Sequence, residues 1–293
     1  MMASIQQTKK TESTYVNGDS NALAPNSLTF GEPISEADKR VTEEEYWAKY
    51  YEHPDFSYEW NNGILEEKPM PDPINVHAYR WFLIILDMYF RVNPIGQLMH
   101  LETAVRFSVA LSDIKIRKPD AFVVLHDNPD PLAQTDRSYR GTCDLAIESL
   151  SDSTEGEVKR DTETKFDEYR LAGVKEYFLL DAKSEKRTAF YRLGPNNRYQ
   201  EITPVNGDII ESTVLPGFKF RISDLFTGPS LVQLSEDEVY QGYILLEYQE
   251  SQRRLAEEST RANSEKQRAD SEKQQKEQMA EFLRNLGYDP DNL

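Results

Sequence analysis

Two acidic residues border or interrupt strongly apolar segments of the sequence. Asp120, in Lys-Pro-Asp, comes directly before Ala-Phe-Val-Val-Leu, and Glu148 interrupts Leu-Ala-Ile-Glu-Ser-Leu. Burying a lone carboxylate is costly unless a cation or hydrogen-bond donors compensate it. Two carboxylates at neighbouring strand positions can share a hard divalent cation, and oxygen ligands favour Mg²⁺ or Mn²⁺. The pair therefore predicts a metal site at Asp120 and Glu148.

A lysine on the helix that follows could complete such a site. Asp161, Lys165 and Tyr169 are spaced by four residues and so share one side of that helix. Phosphodiester hydrolysis needs a metal to polarise the phosphate and to lower the pKa of the attacking water. A cation such as Lys165 can then stabilise the developing negative charge. The alternatives for these residues are a strand-end cap, a core ion pair and a surface pair between Asp161 and Lys165.

Three further side chains are weaker candidates for a supporting role. Glu59 could add a third acidic group, although its place in a predicted hairpin favours a surface carboxylate. His77 falls on the predicted apolar face of its helix, which favours a hydrogen-bonded core residue over a ligand. Tyr169 could donate a hydrogen bond within the site or could simply pack.

The elements that must position these residues form a mixed sheet with one crossing helix. Strands are predicted at 98–109, 121–125, 143–150, 176–181 and 188–193. The helix is predicted at 155–172, where Thr154 and Glu157 offer a capping box and Gly173 a left-handed stop. Its face toward the sheet should contain Val158, Thr162, Phe166 and Tyr169, with Lys165 at the edge. The strands and this helix predict one α/β unit.

Composition divides the chain into three parts. Residues 1–30 are polar without an apolar period and are predicted to be disordered. A globular domain is expected over 40–228, with a capped helix at 42–51, a hairpin around Asn61-Asn62-Gly63, a helix at 76–92 and a β-rich end near 226. A charged helical tail is expected over 231–293. Its heptad near-repeat suggests a coiled coil, so it could join two copies or bind a protein partner; a solvated charged helix is the alternative.

Charge and cysteine content limit the classes of function. The net charge of −17 opposes long-range attraction to phosphates, so a nuclease would need a local basic strip; Lys115, Arg117 and Lys118 provide the one candidate beside Asp120. Cys143 is the single cysteine, which excludes an intramolecular disulfide and, with four scattered histidines, makes a zinc cluster improbable. With no secretory signal and no apolar run long enough to span a bilayer, we expect a cytoplasmic protein that is not in the membrane.

Several of these segments resemble the Uma-type family of proposed restriction endonucleases, within the PD-(D/E)XK nuclease superfamily. The resemblance covers about 42–225, and its most specific part runs from Glu148 to Asp181. It is carried by Pro119-Asp120, Ile-Glu-Ser-Leu-Ser-Asp-Ser-Thr (147–154), Asp161, Lys165, Tyr169, Gly173-Val174 and Glu-Tyr-Phe-Leu-Leu-Asp (176–181). The hairpin at 58–63 and His77 are also similar to the family's N-terminal pattern.

The resemblance implies an α/β (α+β) restriction-endonuclease-like fold, a mixed sheet flanked by helices, with Mg²⁺ on Asp120 and Glu148. Leu150 stands where the superfamily usually has its lysine, two residues after Glu148, and this assigns the lysine role to Lys165. The function expected is a Mg²⁺-dependent endonuclease acting on DNA. One alternative is a catalytically silent nuclease fold that acts as a protein-interaction module, and another is a nuclease for RNA or branched structures.

Overall fold

β-Strands supply most of the framework. The computed structural model describes residues 33–70, 72–150, 155–185, 187–285 and 287, so the predicted disorder of 1–30 and the cap at Thr154 lie outside it. The described strands are β1 Tyr58–Asn61, β2 Ile64–Glu67, β3 Gly96–His100, β4 Val105–Ala110, β5 Asp113–Arg117, β6 Ala121–Leu125, β7 Tyr139–Arg140, β8 Leu145–Ser149, β9 Glu176–Leu180, β10 Ala189–Leu193, β11 Tyr199–Glu201, β12 Ile209–Glu211 and β13 Lys219–Arg221.

Helices flank the strands and close the chain. They are α1 Glu43–Glu45, continued by a π-helical turn at Tyr46–Tyr50, then α2 Pro73–Val92, α3 Glu155–Lys159, a second π-helical segment at Arg160–Lys165, α4 Phe166–Ala172, α5 Asp224–Thr227, α6 Leu231–Glu236 and α7 Leu246–Asn285. We call α3, the second π-helical segment and α4 together the crossover helix. It ends at Gly173, which has a φ of 90°, as the sequence predicts.

A six-stranded mixed sheet carries the predicted crossover. Its strand order is β11-β10-β9-β8-β6-β3, and β8 and β9 are parallel while their neighbours pair antiparallel. The crossover helix links β8 to β9, which is the connection that a parallel pair requires. A second sheet has the order β2-β1-β5-β4-β7, and β12 pairs with β13. The mixed α and β class and the flanking helices are confirmed.

The predicted strand at 98–109 is wrong as a single element. It divides into β3, in the six-stranded sheet, and β4, in the five-stranded sheet. Between them Leu101 and Glu102 have left-handed φ values of 61° and 62°. Neither residue is one of those that favour this conformation, so the turn has no sequence signature. Strand β5 is also absent from the prediction. After β5 the chain passes through Asp120 into β6 and so moves from the five-stranded sheet to the six-stranded sheet.

The helical spacing of the sequence predicts that α2 packs through His77, Trp81, Ile84, Ile85 and Met88, and of these only Ile85 is fully buried. Its buried side chains include Phe82, Ile85, Leu86 and Tyr89, whereas His77 is exposed, so the core position predicted for His77 is wrong. Helix α2 has apolar residues on more than one side, so the sequence alone does not decide which side packs in the core. The buried face is displaced by one residue from the predicted face. The helix begins at Pro73, because the Asp72 carboxylate accepts hydrogen bonds from two backbone N–H groups there.

The C-terminal region has two different parts. Residues 231–245, which the sequence assigns to the tail, contribute Leu234, Val239, Tyr240, Tyr243 and Ile244 to the main core. Helix α7 then runs for 40 residues with no buried side chain. Among the described helices, none has the length and apolarity needed to cross a membrane.

Candidate active site

Strand register places the two predicted carboxylates side by side. Ala121 pairs with Ile147 in the antiparallel β6–β8 ladder, so Asp120, one residue before β6, lies opposite Glu148. Directly opposed residues of an antiparallel pair project from the same face. The Asp120 carboxylate is fixed by the backbone N–H of Ser149, which donates to its Oδ2 at 2.6 Å. Both side chains therefore face one cavity.

Glu148 is deeply buried and held by two donors. Its exposed fraction is 2%, and its Oε1 accepts hydrogen bonds from Lys165 Nζ at 3.1 Å and from the Tyr169 hydroxyl at 2.8 Å. Burial raises the pKa of the Glu148 carboxyl, and the nearby Asp120 charge raises it further, against the lowering effect of Lys165. The carboxylate thus gains from any cation placed beside it.

Lys165 lies among three carboxylates. Its Nζ is 3.1 Å from Glu148, 3.2 Å from Glu59 and 3.5 Å from Asp161, and 1% of the side chain is exposed. Burial alone would lower the pKa of Lys165, but the three carboxylates outweigh it and raise the pKa above its usual value. Lys165 is therefore a permanent cation and not a proton acceptor.

The crossover helix turns its polar side inward at this point. Asp161, Lys165, Glu168 and Tyr169 are buried, while Val158, Thr162 and Phe166, predicted to face the sheet, are only partly buried. The π-helical segment Arg160–Lys165 has a wider turn than an α-helix and shifts the register of the side chains. The predicted packing face is therefore wrong in detail. Lys165, predicted at its edge, lies at the centre of the face that the helix buries.

Glu59 is not a surface residue, so that interpretation is wrong. It is fully buried, with its Oε1 accepting from the Lys118 backbone N–H at 2.8 Å and its Oε2 from Arg117 Nη1 at 3.2 Å. Burial would raise the pKa of Glu59, but the Lys165 and Arg117 charges outweigh it and hold that pKa well below its usual range. The hairpin is part of the five-stranded sheet, in which β1 pairs with β5 and brings Arg117 beside Glu59, and the sequence did not reveal this pairing.

The predicted basic strip does not face solvent. Arg117 is fully buried, with two 2.7 Å hydrogen bonds to the Glu168 carboxylate and further pairs with Glu59 and Glu66. Lys115 and Lys118 are 8% and 3% exposed. Carboxylates neutralise Lys115 and Arg117 on β5, an inner strand of the second sheet, whereas Lys118, just after this strand, donates to the Tyr51 carbonyl at 3.0 Å. The three cations are not available to a phosphate backbone.

Two basic residues that the sequence did not single out complete the surroundings. Lys68 donates to Asp120 Oδ1 at 2.9 Å and to Glu102 at 3.0 Å. Arg160 donates to the Glu67 carbonyl at 2.8 Å, and its Nε is 3.7 Å from Asp161 Oδ1. Lys68 follows the predicted hairpin and Arg160 lies within the predicted helix at 155–172, and only the tertiary fold brings the two residues here. His77 is not among the residues that line the small cavity at Asp120 and Glu148.

Comparison with known proteins places the chain in a family. The model of the Uma2 family, described as "Putative restriction endonuclease", matches residues 43–223. This chain belongs to that family. A crystal structure of a putative nuclease of the DUF820 group from Anabaena variabilis ATCC 29413 has 17% identity and a TM-score of 0.50, covering 64% of this chain and 98% of that chain. That likeness shows the nuclease-like fold. No curated protein matches the chain.

The donor set of the cavity suits a hard divalent cation. The cavity has a volume of about 10 Å³, enough for about one water or ion, and it is lined by three carboxylates and three cations: Asp120, Glu148, Asp161, Lys68, Arg160 and Lys165. Asp161 Oδ1 is buried and accepts no hydrogen bond from the described residues. Among those residues no cluster of three or more acidic, His or Cys side chains has metal-binding geometry. Mg²⁺ usually takes only one or two carboxylates and completes its shell with water and phosphate, so two ligands are compatible with it.

Proposed function

We propose that this family member is a metal-dependent endonuclease that hydrolyses phosphodiester bonds in DNA. The observation that supports it best is the Lys165 ammonium, which lies 3.1 Å from Glu148 and lines the same small cavity as Asp120. A carboxylate pair with an adjacent buried cation is the set that phosphodiester hydrolysis requires. Leu150, at the superfamily's usual lysine position, is fully buried, and the crossover helix supplies an ammonium to the same carboxylate.

Asp120 and Glu148 would hold Mg²⁺ or Mn²⁺. When bound, the metal polarises the phosphate and lowers the pKa of an attacking water. The residues of the chain prepare this site: Tyr169 and Lys165 fix Glu148 Oε1, and the Ser149 N–H fixes Asp120 Oδ2. These donors leave the carboxylates little freedom to turn, so their geometry is set before substrate arrives.

Lys165 would stabilise negative charge on the phosphate without transferring a proton. Its raised pKa keeps Nζ protonated at neutral pH. Its position is in turn fixed by Glu59, which Arg117 holds from the opposite side at 3.2 Å. Glu59 and Arg117 are therefore positioning residues, and Asp161 adds a third carboxylate to the surroundings of Lys165.

The alternative is a catalytically silent nuclease fold that binds protein partners. One observation favours it: Lys68 and Lys165 already neutralise Asp120 and Glu148, so the carboxylates are compensated without a metal. The exposed helix α7 would then be the surface for a partner or for a second copy, as a coiled coil or otherwise.

A cleavage assay separates the two functions. Purified full-length protein is incubated with single- and double-stranded DNA in Mg²⁺, in Mn²⁺ and in chelator, beside the Glu148→Ala protein. The endonuclease predicts cleavage that needs a divalent ion and is lost in Glu148→Ala. Equal trace cleavage by the parental and Glu148→Ala proteins, or cleavage in chelator, would contradict the endonuclease function. RNA of the same base sequence tests the remaining alternative, a nuclease that acts on RNA.

A further inference from the structure

A large apolar cavity opens beside the candidate active site. Its volume is about 550 Å³, within the range of small-molecule sites, and its wall includes Val76, Tyr79 and Leu83 from α2. Lys68, Asp120 and Ser149 line both this cavity and the small carboxylate cavity. One bound molecule could therefore place an apolar group in the large cavity while an attached anionic group lies at the carboxylates.

Exposed apolar side chains collect along this cavity. Met70 is 84% exposed, Leu101 83% and Val76 41%, and all three belong to its lining. Leu101 also holds a left-handed φ of 61°, which is unfavourable for a leucine, yet its side chain is not buried in the core. Such residues contribute little to the fold, and exposed apolar patches often mark ligand sites.

The apolar wall of the cavity, next to the small carboxylate cavity, fits the base of a nucleotide. The lining contains two cations, Lys68 and Arg80, and two carboxylates, Glu102 and Asp120, and Lys68 is paired with both carboxylates. A nucleotide combines a flat, largely apolar base with an anionic phosphate, so its base would match the apolar wall while its phosphate lies at the adjoining small cavity, which shares Lys68, Asp120 and Ser149. A base that stays stacked in a duplex cannot enter such a cavity. Because Lys115, Arg117 and Lys118 are buried, these three residues offer no contacts to a duplex backbone.

We propose that this cavity receives one unstacked base of the substrate strand, next to the phosphate that is cleaved. The preferred substrate is then single-stranded or locally unpaired DNA. The inference rests on the proposed endonuclease function. A base held by apolar and aromatic side chains gains binding free energy whatever its identity, so this site sets the strand state and not the sequence.

Binding can be tested without cleavage. The full-length Glu148→Gln protein in Mg²⁺ is titrated into a single-stranded DNA of about twelve nucleotides with one central 2-aminopurine, whose fluorescence reports stacking. Val76→Trp fills the cavity from an exposed helix position. The matched control is Ile84→Trp on the same helix, which is 37% exposed and lies outside this cavity. Met70→Glu, at an 84% exposed site, is a second blocking variant that should not affect folding.

Val76→Trp and Met70→Glu should raise the Kd for the probe about tenfold or more and abolish the fluorescence change, given the contribution of a stacked base to binding. Ile84→Trp should match its parent, and the matched duplex should bind more weakly than the single strand. Unchanged binding and signal in both blocking variants would overturn the cavity proposal, even if the parental protein cleaves DNA. Absence of both cleavage and binding in the parental chain would instead refute the endonuclease, and this inference with it.

Discussion

Lys165→Met should separate the catalytic role of this ammonium from its structural role. The substitution leaves Glu59, Glu148 and Asp161 without their shared cation, and these side chains are 0%, 2% and 4% exposed. Removing one partner of a buried ion pair costs about 3–5 kcal/mol. For a chain of this size that predicts a fall in Tm of roughly 10 °C.

The double variant Lys165→Met/Glu59→Gln isolates the chemistry. It removes a buried cation and a buried anion together, so it should recover part of the stability lost in the single variant. It restores no charge at the phosphate. Single-turnover cleavage at saturating Mg²⁺ should therefore be slower by about a hundredfold or more in both variants. Thermal melts and rates are measured on the same preparations.

The result that would refute a catalytic role of Lys165 is a cleavage rate that recovers together with the thermal stability. If the double variant melts near the parental temperature and also cleaves at the parental rate, Lys165 is a structural cation only. The assignment of the superfamily's lysine role to Lys165 would then fail. If instead the rate stays low while the Tm recovers, the ammonium acts on the reaction.

Three other changes test separate parts of the structure. Lys68→Met removes the cation on Asp120 Oδ1, so Mg²⁺ binding measured by calorimetry should tighten about tenfold because a repelling charge is lost; unchanged affinity would show that Lys68 does not compete with the metal. The pKa of Glu59 is depressed in the folded protein, so its stabilisation is complete above its unfolded pKa of roughly 4.3 and is lost as the pH falls below that value. The Tm deficit of Glu59→Gln should accordingly be largest above about pH 5 and shrink in acid, and a deficit independent of pH would argue against this ion pair. Deleting 247–293 should lower the Tm by less than about 2 °C because helix α7 has no buried side chain, whereas deleting 231–293 removes core residues and should cost far more; equal losses would show that α7 supports the fold.

Local signals predicted the parts of the fold that they determine. The Asn62–Gly63 turn has both residues at positive φ, as a two-residue hairpin requires, and Gly173 ends the crossover helix in the left-handed conformation. Strand β6 has the predicted bounds. Each of these features depends on a few consecutive residues, so the sequence is sufficient for them.

Features that depend on the second sheet could not be predicted. Glu59 looked like a surface residue because nothing local shows that β5 pairs with β1 and brings Arg117 beside it. The same pairing removed the predicted basic strip from the surface. The inward turn of Lys165 depends on a π-helical segment, whose wider turn breaks the spacing on which helical faces are predicted.

The buried charges around Lys165 bear on the choice between an active and a silent protein. A buried ion-pair network stabilises a fold little, since apolar residues of similar volume often replace it at no loss. Here Glu59, Arg117 and Lys165 are each at most 1% exposed, and their chain of contacts ends on Glu148 at the cavity. A module that only binds partners through its surface gains nothing from charges buried in this way. Their arrangement is what an ammonium held rigidly at a reacting phosphate would need, and this favours the endonuclease.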